Sequence, residues 1–262
     1  MFPKLIQFGD FFLPTYGVMV ALAFFLALRI TVREGARRGI DRDLMTNLAI
    51  YCVLAGLLGA KLFLILFDLP DYLNGSRPLF SIATLQAAGV FQGGLILAVA
   101  VGIWYMRKHH IPLWPAMDAT APGIALGHAI GRLGCLAAGC CWGIACQRPW
   151  AIRFQNPDAE ALTGVPLDIP LHPTQIYESL AEFCIFLFLL WRTQKPHRDG
   201  ELLGLYLVIS SGFRFWVEFY RFHAQTLPFD GPWSLTQWIS VALFAAGAWI
   251  LYGRRQKEAL PA

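Results

Sequence analysis

Arg132 lies in the segment 118–142, which is otherwise almost entirely Ala, Gly, Leu and Ile with one His and a few Cys. A guanidinium at mid-membrane depth costs at least about 2.5–3.5 kcal/mol, so such residues line cavities and find partners. Lys61, Glu178, Glu182, Arg214 and Glu218 each stand in or beside another apolar segment. Cations held out of water suit an anionic ligand, and a guanidinium matches phosphate through paired hydrogen bonds. Arg214 and Glu218 are four residues apart on a helix and can neutralise each other; Glu178 and Glu182 share a face in the same way. Arg132 has no carboxylate within a turn, so its partner is a ligand or a side chain from another helix.

The segments that carry these residues are apolar runs of membrane length. Of the 262 residues, 56% are hydrophobic and 15% charged, against about 25% charged in soluble domains. The runs do not alternate apolar and polar residues, which excludes a membrane β-barrel. The fold class expected is therefore all-α: a polytopic membrane protein of about seven transmembrane helices, near 14–34, 46–67, 88–106, 116–138, 173–192, 202–220 and 233–252. Met1–Leu13, with Lys4 and Asp10 among Phe and Leu, is expected to lie along the interface, and no cleavable signal is visible in it. No repeat or linker interrupts the chain, so 1–262 is expected to be a single integral membrane domain. The formal net charge of +4 sits in loops and fits topology signals, not nucleic-acid binding.

Arg33, Arg37, Arg38 and Arg42 follow the first span; Arg107 and Lys108 the third; Arg192, Lys195 and Arg198 the fifth; Arg254, Arg255 and Lys257 the seventh. The alternate loops, with Asp68, Asp71 and Arg77 or with Arg148, Arg153, Asp158, Glu160 and Asp168, are poorer in net positive charge. Positive loops stay in the cytoplasm. The N-terminus is then expected outside, the C-terminus in the cytoplasm, and the region around 142–171 facing outward. On that topology Tyr16, Lys61, Gln92, Arg132, the group His172, Gln175, Tyr177, Glu178 and Glu182, and the pair Arg214 and Glu218 all fall in the outer halves of their spans. Scattered interfacial residues would flank both sides; a cluster at one depth implies a polar cavity toward the outer leaflet. The obvious anion there is a phospholipid headgroup.

Gly123, Gly127 and Gly131 repeat every four residues, a stripe that lets a helix approach closely. Gly131 and Gly134 beside Arg132, and Gly93 and Gly94 beside Gln92, also leave backbone N–H groups open to a bulky headgroup. Cys135, Cys140, Cys141 and Cys146 do not match zinc-knuckle spacing, and an outward loop permits disulfides. Structural thiols, or a disulfide from Cys140 or Cys141 to Cys146, are expected in preference to a metal; no metal and no cofactor is assigned. Cys52 and Cys184 read as ordinary span residues.

With these residues in place, the chain resembles the prolipoprotein diacylglyceryl transferases. GHAIGRLGCLAAGCCWG (127–143), LHPTQIYESLAEF (171–183), FRFWVEFYR (213–221), TYGVMVALAF (15–24) and FQGGLI (91–96) are similar to segments of that family, in the same order over nearly the whole chain. The resemblance implies transfer of the diacylglyceryl group of phosphatidylglycerol to the lipobox cysteine thiol of a preprolipoprotein, with glycerol 1-phosphate released, at the bacterial inner membrane. It implies that Arg132 binds the phosphate, Arg214 stabilises the leaving group and Glu218 orients the arginine. Tyr16, Tyr177 and Glu178 then shape the pocket, with Lys61, Gly131, Gly134, Gln175 and His172 at the substrate. Gln92 stands where familiar members carry a catalytic histidine, Cys135 where they carry Asn, Cys140 at an acidic position and Ser210 in place of Tyr; the chain reads as a Cys-rich, Gln92-containing subtype. Its partners are then phosphatidylglycerol and the lipoprotein signal peptide. A transporter would need polar groups along the inner halves as well; a homologue that binds phosphatidylglycerol without turnover is the other alternative, argued from Gln92.

Overall fold

A computed structural model describes residues 1–8, 11–74, 90–223 and 231–259. Asp10 and Arg77 lie outside them. The described residues are predominantly helical, and the chain divides into two compact units, Met1–Glu34 with Met117–Ala262, and Gly35–Ala116. The order is β1 (Lys4–Phe8), β2 (Phe11–Pro14), α1 (Thr15–Arg37), α2 (Arg42–Phe67), α3 (Leu69–Leu73), α4 (Phe91–Lys108), α5 (Leu113–Ala138), α6 (Pro157–Thr163), α7 (Thr174–Thr193), α8 (Glu201–Val217), a 3-10 turn (Glu218–Tyr220) and α9 (Leu235–Ala259).

Among the described residues, five helical segments are long and apolar enough to cross a membrane: Thr15–Arg37, Arg42–Phe67, Thr174–Thr193, Glu201–Tyr220 and Leu235–Gly253. The other two expected spans do form helices, α4 and α5. Their apolar character is diluted, in α4 by Gln92, Arg107 and Lys108, and in α5 by Asp118, His128 and Arg132. On α2, Leu57, Leu58, Leu66 and Phe67 remain 56–69% exposed. Large side chains left outside along a helix of that length present the surface that lipid covers.

In the second unit α2 starts at Asp41, whose carboxylate accepts the N–H groups of Asp43 and Leu44 at 2.9 and 3.0 Å and so satisfies two orphan donors of the first turn. α2 and α4 then meet through glycines. A Cβ on Gly59 would stand 2.4 Å from the carbonyl oxygen of Gly93, and one on Gly94 would stand 2.8 Å from that of Gly56. Gly93 and Gly94 therefore serve backbone-to-backbone packing.

In the first unit the Gly stripe of α5 faces α1 at one end only. A Cβ on Gly123 would fall 2.4 Å from Thr31 Oγ1, and one on Gly127 would make ordinary contact with Ala27 at 3.5 Å. At Gly131 it would meet nothing within 4 Å. The expected helix approach is thus real at Gly123, while Gly131 borders open space beside Arg132. Ala121 and Ala125 of α5, Ile185, Phe186 and Leu189 of α7 and Leu202 of α8 form the apolar core. Asp118 fixes the start of α8 from α5: its buried carboxylate accepts the Gly200 and Leu203 N–H groups at 2.7 and 2.9 Å.

The N-terminal segment expected at the interface is a two-stranded antiparallel hairpin. Lys4 Nζ pairs with Asp158 at 2.6 Å, and Asn156 donates to the Met1 carbonyl at 3.0 Å. The region 142–171 has a small core of its own, Phe154, Ala159, Val165 and Leu171, closed around α6.

Candidate active site

α5, α7 and the end of α8 bring Arg132, Glu178 and Arg214 to one point. Arg132 Nε stands 2.5 Å from Glu178 Oε2, and Arg214 Nη1 donates to Glu178 Oε1. The partner that Arg132 needed is therefore a carboxylate on another helix. Arg214 Nη2 reaches Glu218 Oε2 at 3.3 Å, the pairing expected from their spacing, so Arg214 bridges two acids.

A third guanidinium completes the group. Arg221 Nη1 lies 3.6 Å from both Glu178 Oε1 and Glu218 Oε2, beyond hydrogen-bond reach, and is a buried donor without an acceptor among the described residues. The sequence reading did not include Arg221 among the site residues. Its signal was present in Arg214, Glu218 and Arg221 at spacings of four and three, but Arg221 lies past the helix, and helical phase alone does not place it. The fold does so by backbone pairing: Ile144 donates to the Tyr220 carbonyl at 2.9 Å and Phe222 to the Trp142 carbonyl at 3.2 Å. Gly143 sits in the crossing, where a Cβ would stand 2.6 Å from the carbonyl oxygens of both His172 and Tyr220.

Three further residues support the acids. His128 Nδ1 is 3.1 Å from Glu182 Oε1, to which the Ser210 hydroxyl also donates at 2.5 Å. Ser234 donates to Glu218 Oε1 at 3.2 Å. Ser234 is itself held by a capping box at the start of α9, with Gln237 N on Ser234 Oγ at 3.2 Å and Ser234 N on Gln237 Oε1 at 2.9 Å. Ser-x-x-Gln before an apolar run is the sequence signature of this box.

The side chains of Glu178, Glu182 and Glu218 are 2–4% exposed, those of Arg132, Arg214 and Arg221 13–18%. Acids form the floor and cations the face. Glu178 and Glu218 pair with the three guanidiniums from below, and Glu182 pairs with His128 beside them. Gln175 is buried, and its Nε2 donates to the Cys140 carbonyl at 2.8 Å while its Oε1 has no donor among the described residues. Thr174 Oγ1 holds the next carbonyl, that of Cys141, at 2.9 Å.

Tyr16 packs on the same end of α5, since a Cβ on Gly134 would stand 3.3 Å from its ring. Tyr177 OH accepts from Trp150 Nε1 at 2.7 Å and lies 3.2 Å from His172 Nδ1. Burial and the charge of Arg148 push His172 below the ordinary histidine value. Lys61 and Gln92 belong to the second unit. Lys61 is half-buried on α2, and Gln92 is exposed in the first turn of α4.

No disulfide joins the six cysteines. The sulfurs that come together are those of Cys135, Cys140 and Cys141, and Cys146 stands outside that group. Hydrogen bonds from the Cys135 and Cys140 thiols, reinforced by the Arg221 and Arg132 charges, hold the Cys141 thiol well below the usual range, while that of Cys140 is raised by the same contacts.

A family profile described as prolipoprotein diacylglyceryl transferase matches residues 3–253. A phosphatidylglycerol–prolipoprotein diacylglyceryl transferase of Bordetella avium is 33% identical over 98% of this chain and 96% of its own length. One of Polynucleobacter asymbioticus is 34% identical over 95% and 94%, and one of Clostridium tetani 32% identical over 79% and 80%. With a match across nearly its whole length and an arginine–carboxylate cluster formed by the segments that carry the resemblance, this chain belongs to the prolipoprotein diacylglyceryl transferase family.

Proposed function

We propose that this protein transfers the diacylglyceryl group of phosphatidylglycerol to the lipobox cysteine of a preprolipoprotein, at the outer leaflet of the bacterial cytoplasmic membrane. The observation that carries the reading is the face of three guanidiniums over a floor of buried carboxylates. A phosphodiester fits that face. Arg132 engages Glu178 through Nε and can turn its terminal nitrogens to phosphate oxygens, and Arg221 Nη1 is a donor without an acceptor among the described residues. Gln175 Oε1 is an acceptor without a donor among the described residues and suits a hydroxyl of the glycerol headgroup. Gly131 gives the headgroup room, and Tyr16, Gly134, Tyr177 and His172 bound the same end of α5 and α7.

The reaction is displacement at an sp³ carbon. The cysteine sulfur forms a C–S bond to the glyceryl carbon, the C–O bond to phosphate breaks, and glycerol 1-phosphate leaves with the electron pair. Negative charge grows on the phosphate oxygens as the bond breaks, where positioned cations lower the barrier most. Arg214, clamped between Glu178 and Glu218, is fixed for that task, and a fixed dipole costs no reorganisation during the step. The thiol reacts as thiolate, and the same positive field favours its ionisation.

Seven helices cross the membrane in this reading, α4 and α5 among them, with the N-terminus outside and the basic loops in the cytoplasm. The test is to incubate purified protein with phosphatidylglycerol and a lipobox peptide. A diacylglyceryl thioether and glycerol 1-phosphate in equal amounts are expected. Folded protein that binds phosphatidylglycerol but yields neither product overturns transfer and favours the second reading, a binding homologue, for which the amide of Gln92 at a position of expected histidine speaks.

A further inference from the structure

Cys135, Cys140 and Cys141 are spaced wrongly along the chain for a zinc knuckle, yet folding brings their three sulfurs within 4.8 Å of one another. The end of α5 does this. The carbonyl of Cys135 accepts from Gly139 N at 3.0 Å and Cys140 N at 3.1 Å, and Gly139 takes a positive φ of 80°, which turns the chain back on the helix. Cys141 follows at a φ of 64°, a conformation that costs a non-glycine residue about 1–3 kcal/mol and persists only where the surroundings enforce it. Thr174 and Gln175 of α7 enforce it by holding the Cys141 and Cys140 carbonyls. The sulfurs are therefore positioned by two helices, and Cys135 is buried.

We propose that Cys135, Cys140 and Cys141 form a three-thiolate site for a soft d10 metal ion, Cu(I) in particular. An ion at the centre of three sulfurs with bonds of about 2.3 Å sets the sulfurs about 4.0 Å apart, so closure needs shifts below one ångström. Among the described residues no fourth His, Cys, Asp or Glu joins the group; Zn(II) seeks four ligands in structural sites, whereas thiolates select Cu(I). Any thiol still protonated gives up its proton to solvent on binding. Three thiolates and one monovalent ion leave two negative charges, and Arg132 stands on α5 within one helical turn of Cys135. The site stands whether or not the protein is a transferase.

The test uses full-length protein in detergent, reduced without oxygen, with Cu(I) supplied against a competing chromophoric chelator. One equivalent of Cu(I) per chain is expected, with X-ray absorption showing three sulfur neighbours. Cys141→Ser is expected to weaken binding by at least about 100-fold, since loss of mere supporting groups around a metal costs 10–100-fold, while Cys146→Ser binds as the wild type does. Should Cys141→Ser not fold, Cu(I) on the wild type is expected to shield Cys135, Cys140 and Cys141 but not Cys146 from maleimide, as located by mass spectrometry. Equal labelling with and without Cu(I), affinity unchanged in a folded Cys141→Ser variant, or tighter retention of Zn(II) than of Cu(I) overturns the proposal.

Discussion

Glu178 is the residue on which the site turns. One carboxylate, 2% exposed, lies within 3.6 Å of three guanidiniums on two helices and a following loop. Buried ion pairs give little net stability, but removing one member strands the rest and costs about 3–5 kcal/mol. Glu178→Gln is therefore expected to lower the thermal midpoint in detergent and abolish turnover together. Arg221→Gln removes a guanidinium that stands 3.6 Å from two carboxylates without a hydrogen bond to either, so the fold is expected to lose less than in Glu178→Gln while the rate falls by about 10²–10³, the usual effect of losing one stabilising donor. Melting curves and single-turnover rates on both variants check this; an active Arg221→Gln removes Arg221 from the phosphate site. Arg132 announced itself in the sequence because no local carboxylate answers it. Arg221 did not, because it lies past the end of α8 and its local spacing to Glu218 does not show that it also reaches Glu178.

At the scale of elements, the N-terminus of α7, the end of α5 and the loop after α8 are laced together through Gly143. The strand-like run from Trp142 to Ile144 fits between His172 and Tyr220 only because Gly143 has no side chain. Gly143→Ala must push the flanking backbone segments apart and displace Arg221, so lower stability and loss of turnover are expected together. Gly131→Ala meets open space in mid-helix and is expected to hold or raise stability by up to about 1 kcal/mol, with any loss confined to phosphatidylglycerol affinity. Differential scanning fluorimetry with lipid titration separates the two; a Gly143→Ala protein that melts and reacts like the wild type overturns the role given to the crossing. The helices themselves were close to legible: expected ends at 116–138 and 173–192 stand within three residues of α5 and α7. The hairpin at Lys4–Pro14 was not, because short strands among Phe and Leu share the composition of an interfacial segment.

For the whole molecule, the basic loops after α1, α4 and α7 set the expected orientation. In intact cells an impermeant maleimide is expected to label Gln155→Cys and to reach Lys195→Cys only after the membrane is opened, with peptides assigned by mass spectrometry. The opposite pattern reverses the orientation and moves the proposed reaction to the other leaflet. Both positions are exposed, so the contrast reports sidedness and not burial.

The sequence by itself determined that the chain is predominantly helical with segments long and apolar enough to cross a membrane, which segments carry charge, and that Arg132 requires a partner. Those properties follow from composition and period, which are local. Tertiary structure decided that Glu178 is that partner, that Arg221 joins it, that the glycines of α5 serve packing at one end and space at the other, and that Cys135 meets Cys140 and Cys141 while Cys146 does not. Each of these depends on where a helix ends and how the chain turns back. Backbone hydrogen bonds and a few φ angles set that, and residue spacing along the sequence does not encode it.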